Sequence, residues 1–302
     1  MLVFWHLFCI AIFFNLEGNI KMKKKIALVA LAAAAVCAQA ADWSDTSLSF
    51  RHGSKFAEPF GSTEITKNIY GLTHASGYKY GSNFFNVDLL LSNKNDPASA
   101  GSSEGAREVY VVYRNTVDLE KVTGKSFKSG AVRGVGVTAG FDFNTKTDVG
   151  YNSKKEMLVV GPTLMLDVPG FLNVSLLALA ESNAPSTATL VAKRYSYDTH
   201  PMIGLAWGIP FSVASVPLSF EGFANFIAAK GKDEFGGDTA AETNIDMQVM
   251  YDMSTAVNAS KNTFKVGAEY QYWKNKFGND HNGAAGKGAF AKTPMLRAEY
   301  HF

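Results

Sequence analysis

From residue 41 onward the chain repeats an apolar–polar alternation of period two and carries almost no 3.6-residue periodicity. Its clearest instance is the last ten residues, T-P-M-L-R-A-E-Y-H-F. Leu296, Ala298, Tyr300 and Phe302 fall on one side of an extended chain, Arg297, Glu299 and His301 on the other. Successive side chains of a strand point to opposite faces, so such a run has one greasy and one wet face. The stretch 132–143 repeats this: Val135, Val137, Ala139, Phe141 and Phe143 oppose Gly134, Gly136, Thr138, Gly140 and Asp142. Clusters of Gly, Asn, Asp and Ser break the alternation into about twelve strands. They are expected near 47–55, 65–75, 78–91, 108–114, 132–143, 154–168, 171–181, 194–209, 217–229, 243–253, 263–273 and 293–302. Pro169-Gly170 predicts a tight hairpin, and 92–105 and 275–291 predict long loops able to present surfaces.

The N-terminal region sets the destination. Lys23, Lys24 and Lys25 precede an apolar run from Ile26 to Val36 and a small-x-small site at Ala38-Gln39-Ala40. That is the layout of a secretory signal peptide, with the mature chain starting at Ala41. The apolar run is shorter than the ~20 residues a membrane-spanning helix needs. Cys37 raises a lipoprotein reading, but Val36 stands where such signals need a small residue. Residues 1–21 fit no part of this plan and are read as a mis-assigned upstream extension, with translation starting at Met22. Both cysteines, Cys9 and Cys37, would then be lost, which leaves no thiol or disulfide chemistry. Removing residues 1–40 takes away four lysines and one glutamate, turning the formal net charge from +2 to −1. Nucleic-acid binding thereby loses its electrostatic argument.

An even count of ~10-residue strands behind an export signal predicts one all-β domain over 41–302, a closed antiparallel transmembrane β-barrel. A soluble β-sandwich would alternate too. The aromatic C-terminus and the placement of Trp207, Tyr251, Tyr272 and Tyr300, read as interfacial girdles, favour the barrel. Closure also leaves no sheet edge and satisfies every backbone group within the bilayer. The expected location is the outer membrane of a Gram-negative bacterium, in contact with lipid and lipopolysaccharide.

About twelve strands enclose more room than their own side chains fill, yet less than the 16 to 18 strands of open porins. Lumen-facing candidates are Arg51, Phe84, Asp88, Glu108, Tyr110, Arg114, Asp142, Phe223, Asp246, Asp252, Lys265, Glu269, Trp273, Arg297 and Glu299. Charges of both signs nearly balance, which disfavours strong ion selectivity. The aromatic faces offer stacking platforms, and their polar neighbours can hydrogen-bond hydroxyls. The bland alternative is that these residues brace the lumen through cross-strand pairs. Gly134, Gly136 and Gly140 thin one wall, making room for solute or for a large side chain opposite.

The segments D-W-S at 42–44, L-S-F-R-H-G-S-K-F, N-I-Y-G-L-T-H-A-S-G-Y-K-Y-G-S-N-F-F-N-V-D-L-L-L-S, E-V-Y-V-V-Y-R and L-R-A-E-Y-H-F resemble the Tsx-like family of nucleoside-specific outer-membrane channels. The resemblance implies a 12-stranded monomeric channel passing nucleosides by weak binding to aromatic and ionisable side chains; separately, no cofactor and no metal are expected. The first strand departs from the family's spacing, placing Arg51 and His52 between Phe50 and Phe56, so no individual binding residue is carried over.

The expected class is a passive channel and not an enzyme. The rivals are an outer-membrane enzyme such as a phospholipase, and a receptor or structural barrel. His52, His74, His200, His281 and His301 are scattered, and none stands in a Ser-His-Asn arrangement visible in the sequence. No metal-ligand spacing occurs. Asp233, Glu234 and Asp238 read as a solvated loop tip, Asn258-Ala259-Ser260 as a turn, and 283–287 as a flexible loop without P-loop spacing.

Overall fold

The computed structural model describes residues 41–96, 105–147, 151–186 and 193–302. The upstream extension, the signal peptide and residues 97–104 of the first long loop lie outside them. Strands β1 (Ala41–Phe56), β2 (Ile65–Tyr78), β3 (Gly81–Ser92), β4 (Arg107–Asp118), β5 (Val132–Thr147), β6 (Glu156–Leu166) and β7 (Phe171–Asn183) follow one another. After the two-residue β8 (Tyr195–Ser196) come β9 (His200–Val213), β10 (Val216–Ile227), β11 (Glu242–Asp252), β12 (Phe264–Lys274) and β13 (Phe290–His301). Each long strand pairs antiparallel with its neighbours; β1 pairs with β13, β6 with β7 and β7 with β9. The result is a closed barrel of twelve long strands, with β8 hydrogen-bonded to β7 beside the wall.

The expected strands all exist, most with shifted ends. The eighth starts at His200 rather than 194, because Tyr195–Ser196 forms the separate β8, and it runs on to Val213. It extends because Ala214 and Ser215 turn the chain in two residues, both at positive φ (48° and 69°). Such turns match strand twist but favour Asn and Gly, so Ala-Ser gives no sequence signal. The turn after β4 holds a one-turn helix, α1 (Leu119–Thr123), that was not anticipated. Asp118 caps it through the Glu120 amide, and Gly124 ends it in the left-handed region.

Both described chain ends lie at one rim, with the three tightest turns, 79–80, 167–170 and 214–215, and the longer connections 119–131 and 253–263. The described parts of the connections at the opposite rim are 57–64, 93–96, 105–106, 151–155, 184–186, 193–199, 228–241 and 275–289. Short turns mark the periplasmic side of such barrels and longer connections the extracellular side. Outward positions form a greasy band including Leu48, Phe50, Leu72, Phe141, Val160, Leu176, Ile203, Phe226, Val249 and Leu296, all exposed. Closed strands behind such a band satisfy backbone groups internally and present hydrocarbon to lipid. Trp207 stands mid-strand, packed on Phe220 over Gly222, and so is not part of a girdle at the rim.

Candidate lumen site

Ladder partners share a face, so the register fixes which side chains enter the lumen. Phe84 stands opposite Arg114, Asp88 opposite Tyr110, and Glu108 opposite Lys146. Phe223 faces Asp246, Asp252 faces Lys265, and Trp273 faces Asn244. Arg51 faces Arg297, and Glu269 faces Gln248. Glu299 stands between Ser49 and Lys265. Asp142, opposite Val112, completes this inward set. The register thus places every sequence-predicted lumen residue inside, but not in one cluster.

Two of the resulting groups are charge ladders along the wall. Arg51 pairs with Asp88 and reaches Glu269 at 3.5 Å; Arg297 binds Glu269 at 2.7 Å and Glu299 at 2.6 Å. Two arginines can therefore stand opposite each other, because carboxylates separate them. His301 continues the line to Glu299 (3.2 Å) and Asp45 (3.0 Å). On another wall, Arg114 pairs with Asp142, whose Oδ2 also accepts from Tyr110 (3.0 Å). Arg114 lies across Gly140, where an added Cβ would come within 2.8 Å of its Cδ. That thinning of the wall accommodates a side chain.

The third group was not anticipated and closes in on the extracellular mouth. Glu58, from the β1–β2 loop, takes Lys67 at 2.8 Å, Lys276 at 3.0 Å and Lys146 at 3.8 Å. Asp96, from the β3–β4 loop, binds Lys146 at 2.7 Å and Lys67 at 3.6 Å. Phe277 then carries the network across the barrel. Its ring packs on Trp273, lies 5.1 Å from the Lys276 ammonium, and meets Lys155 of the β5–β6 connection at 4.0 Å. Lys155 and Lys230 both bind Glu181, at 3.3 and 2.7 Å. Glu58, Lys67, Asp96, Lys276, Lys230 and Glu181 are each buried. Burial alone would push the Glu58 carboxyl up, but three lysines led by Lys276 outweigh it and hold it well below the usual range. Burial is also the main reason that the Lys276 and Lys230 ammonium groups titrate below an ordinary lysine.

Several loop expectations are corrected here. The 275–291 connection is only partly a surface: Asp280, Asn282, Gly283, Ala284 and Lys287 are exposed, but Lys276, Gly278, Ala285, Gly288 and Ala289 are buried, and Ala285 O accepts from the Phe60 amide. Residues 286–289 form a short 3-10 turn. Glu234 is not a solvated tip; it accepts from Tyr151, Tyr197 (2.5 Å) and Asn183 (3.2 Å). Burial pushes its carboxyl up, but the two tyrosine hydroxyls prevail and lower it. Asp233 and Asp238 do sit on an exposed tip, where Asp233 caps Phe235 and Gly237 and Asp238 pairs with Lys232. Asn258 ends a 3-10 turn in the left-handed region, as expected of a turn.

The interior is more apolar than the alternation implied. Val159, Leu177, Leu179 and Met202 form one buried cluster, and Phe56, Ile65, Ile69 and Met295 another. By contrast, inward Phe84 is 41 % exposed and Phe223 37 %. An inward ring can keep that exposure only where it faces open space, so the barrel is hollow beside them. Lys67 had a readable signal, since it lies between Ile65 and Ile69 in the inward register; Glu58, Asp96 and Lys276 sit in loops without periodicity.

No family model matches the chain, and no curated protein sequence matches it. Among solved structures, it is similar to the KdgM porin at 9 % identity and TM-score 0.40, over 85 % of this chain and 99 % of that one. KdgM porin in complex with disordered oligogalacturonate gives 11 % identity and TM-score 0.40, over 85 % and 99 %. The translocator domain of the autotransporter NalP from Neisseria meningitidis gives 11 % and 0.44, over 93 % and 98 %. The chain itself forms a closed antiparallel β-barrel of twelve long strands with an apolar outer band.

Proposed function

We propose that the barrel is a passive channel for small polar solutes, narrowed at its extracellular mouth, with nucleosides as the preferred class. The observation that carries this reading is the pair of inward, water-exposed rings, Phe84 and Phe223, beside Arg114 and Asp246. A planar base stacks on an aromatic face at about 1–3 kcal/mol whatever its sequence identity. Neighbouring carboxylates and guanidinium groups exchange hydrogen bonds with ribose hydroxyls. Most wall charges are already paired, so they offer polar contacts without a strong net field, and a solute can leave as readily as it enters. The buried network at the mouth leaves solute to pass only where the loops part. The resemblance of the strand sequences to Tsx-like channels points to the same class.

Planar-bilayer conductance with titrated nucleosides tests this directly. Nucleosides should block the current in a saturable way, and Phe84→Ala should weaken that block about tenfold while leaving glycerol flux unchanged. Equal flux of nucleosides and sugars of similar size would remove the nucleoside preference. Absence of any liposome swelling would remove the channel.

A further inference from the structure

Pairing of β1 with β2 assembles a serine, a histidine and an asparagine on the outside of the barrel, a set the sequence alone did not reveal. His52 and Ser54 are alternate residues of β1, both exposed on its outward face. Asn68 stands on neighbouring β2, with its Oδ1 2.8 Å from His52 Nδ1. An amide oxygen only accepts, so this bond places the proton on Nδ1 and leaves the Nε2 lone pair as a base. Orientation of a base by a third group is what nucleophilic hydrolytic sites require. Ser54 is one outward position further along, about 7 Å along the backbone, and strand side chains lean along the strand axis.

The same two residues open onto a lipid-facing groove of about 580 Å³, well within the range of small-molecule sites. Its wall is apolar: the successive ladder partners of His52 are Leu296, Ala268, Val249 and Phe220, and Pro294 and Tyr270 line the next row. Ser54 lies two residues from the extracellular end of β1. A polar set at that level, with a greasy groove leading away from it, matches a lipid whose ester sits at the interface and whose chain lies in hydrocarbon.

We propose that Ser54, His52 and Asn68 form an acyl-ester hydrolase site on the lipid-facing wall, with a membrane lipid as substrate. Ser54 Oγ adds to the ester carbonyl carbon as its proton passes to His52 Nε2. The ester C–O bond then breaks, and the leaving alcohol takes that proton. Water, deprotonated by His52, attacks the acyl-serine, releasing the fatty acid and restoring Ser54. Asn68 is a positioning residue that holds the productive tautomer. The site is separated from the lumen by the strand wall, so hydrolysis and conductance are independent readouts.

The test uses the purified, folded barrel in mixed micelles. The wild type should react with a fluorophosphonate probe and release fatty acid from diacyl phosphatidylethanolamine or from lipid A, the productive arm naming the source. An ether-linked analogue should yield nothing. Ser54→Ala should abolish labelling and release at unchanged conductance and unchanged heat-modifiable migration. Asn68→Ala should lower kcat at least tenfold, with little change in KM, and displace the pH–rate midpoint. A wild type that neither labels nor hydrolyses either ester, or a Ser54→Ala variant as active as wild type, overturns the proposal.

Discussion

Glu58 joins three of the loops and strands at the mouth, because one carboxylate neutralises lysines from β2, β5 and the β12–β13 loop. Glu58→Gln keeps the shape but leaves Lys276 without its counter-charge; Lys67 and Lys146 retain Asp96. Removing one member of a buried ion pair costs about 3–5 kcal/mol. The expected outcome is a lower urea midpoint for unfolding from micelles and a larger, noisier single-channel current. The sign with pH follows from the depressed carboxyl. Its contribution is complete above the ordinary glutamate value of 4.5 and drains only as pH falls from there toward the depressed one. Current noise in the wild type should therefore stay flat through neutral pH and rise in acid; a transition near neutrality contradicts this assignment. At this scale, legibility tracked backbone regularity. Arg51, Asp88 and Glu269 were readable as inward because parity along a strand fixes the face. Their pairing was not, because Arg51 meets Glu269 across strands remote in sequence.

Strand existence was legible wherever the alternation persisted for ten residues, as in β5, β11 and β12. Ends were less so, because a turn needs special dihedrals that ordinary residues adopt when tertiary pairing demands it. The β9–β10 turn is the plainest case. Ala214 and Ser215 both occupy the left-handed region, where a β-carbon costs roughly 1–2 kcal/mol per residue. Replacing them with Asn-Gly should raise the unfolding midpoint by an amount corresponding to about 1 kcal/mol. Equilibrium urea unfolding would detect it, and a lowered midpoint would mean the hairpin uses these side chains. The β12–β13 connection shows the opposite limit. Asn275, Phe277 and Gly278 all take positive φ, and no hydropathy pattern announces that such a segment folds inward.

For the whole molecule, strand number and closure were readable from the count and length of the alternating runs. Filling of the interior was not, since it depends on contacts such as Lys276 to Glu58, 218 residues apart. Closure rests on the β1–β13 seam, where six residue pairs are in register and Phe302 donates its amide to Thr46. A chain lacking 290–302 should give no heat-modifiable band on gels and should be degraded rapidly by protease; a stable, protease-resistant truncation would mean that the other eleven strands close without it. The same seam bears on biogenesis. Arg51 of the first strand stands against Arg297 of the last, and Glu269 of the penultimate strand reaches both. Until the final strand arrives, Glu269 lacks one of its guanidinium partners and both outermost strands expose unsatisfied amides. A chain whose last strand has not yet paired is therefore poorly suited to hydrocarbon, and the seam makes delivery of the tail the step that readies the barrel for lipid.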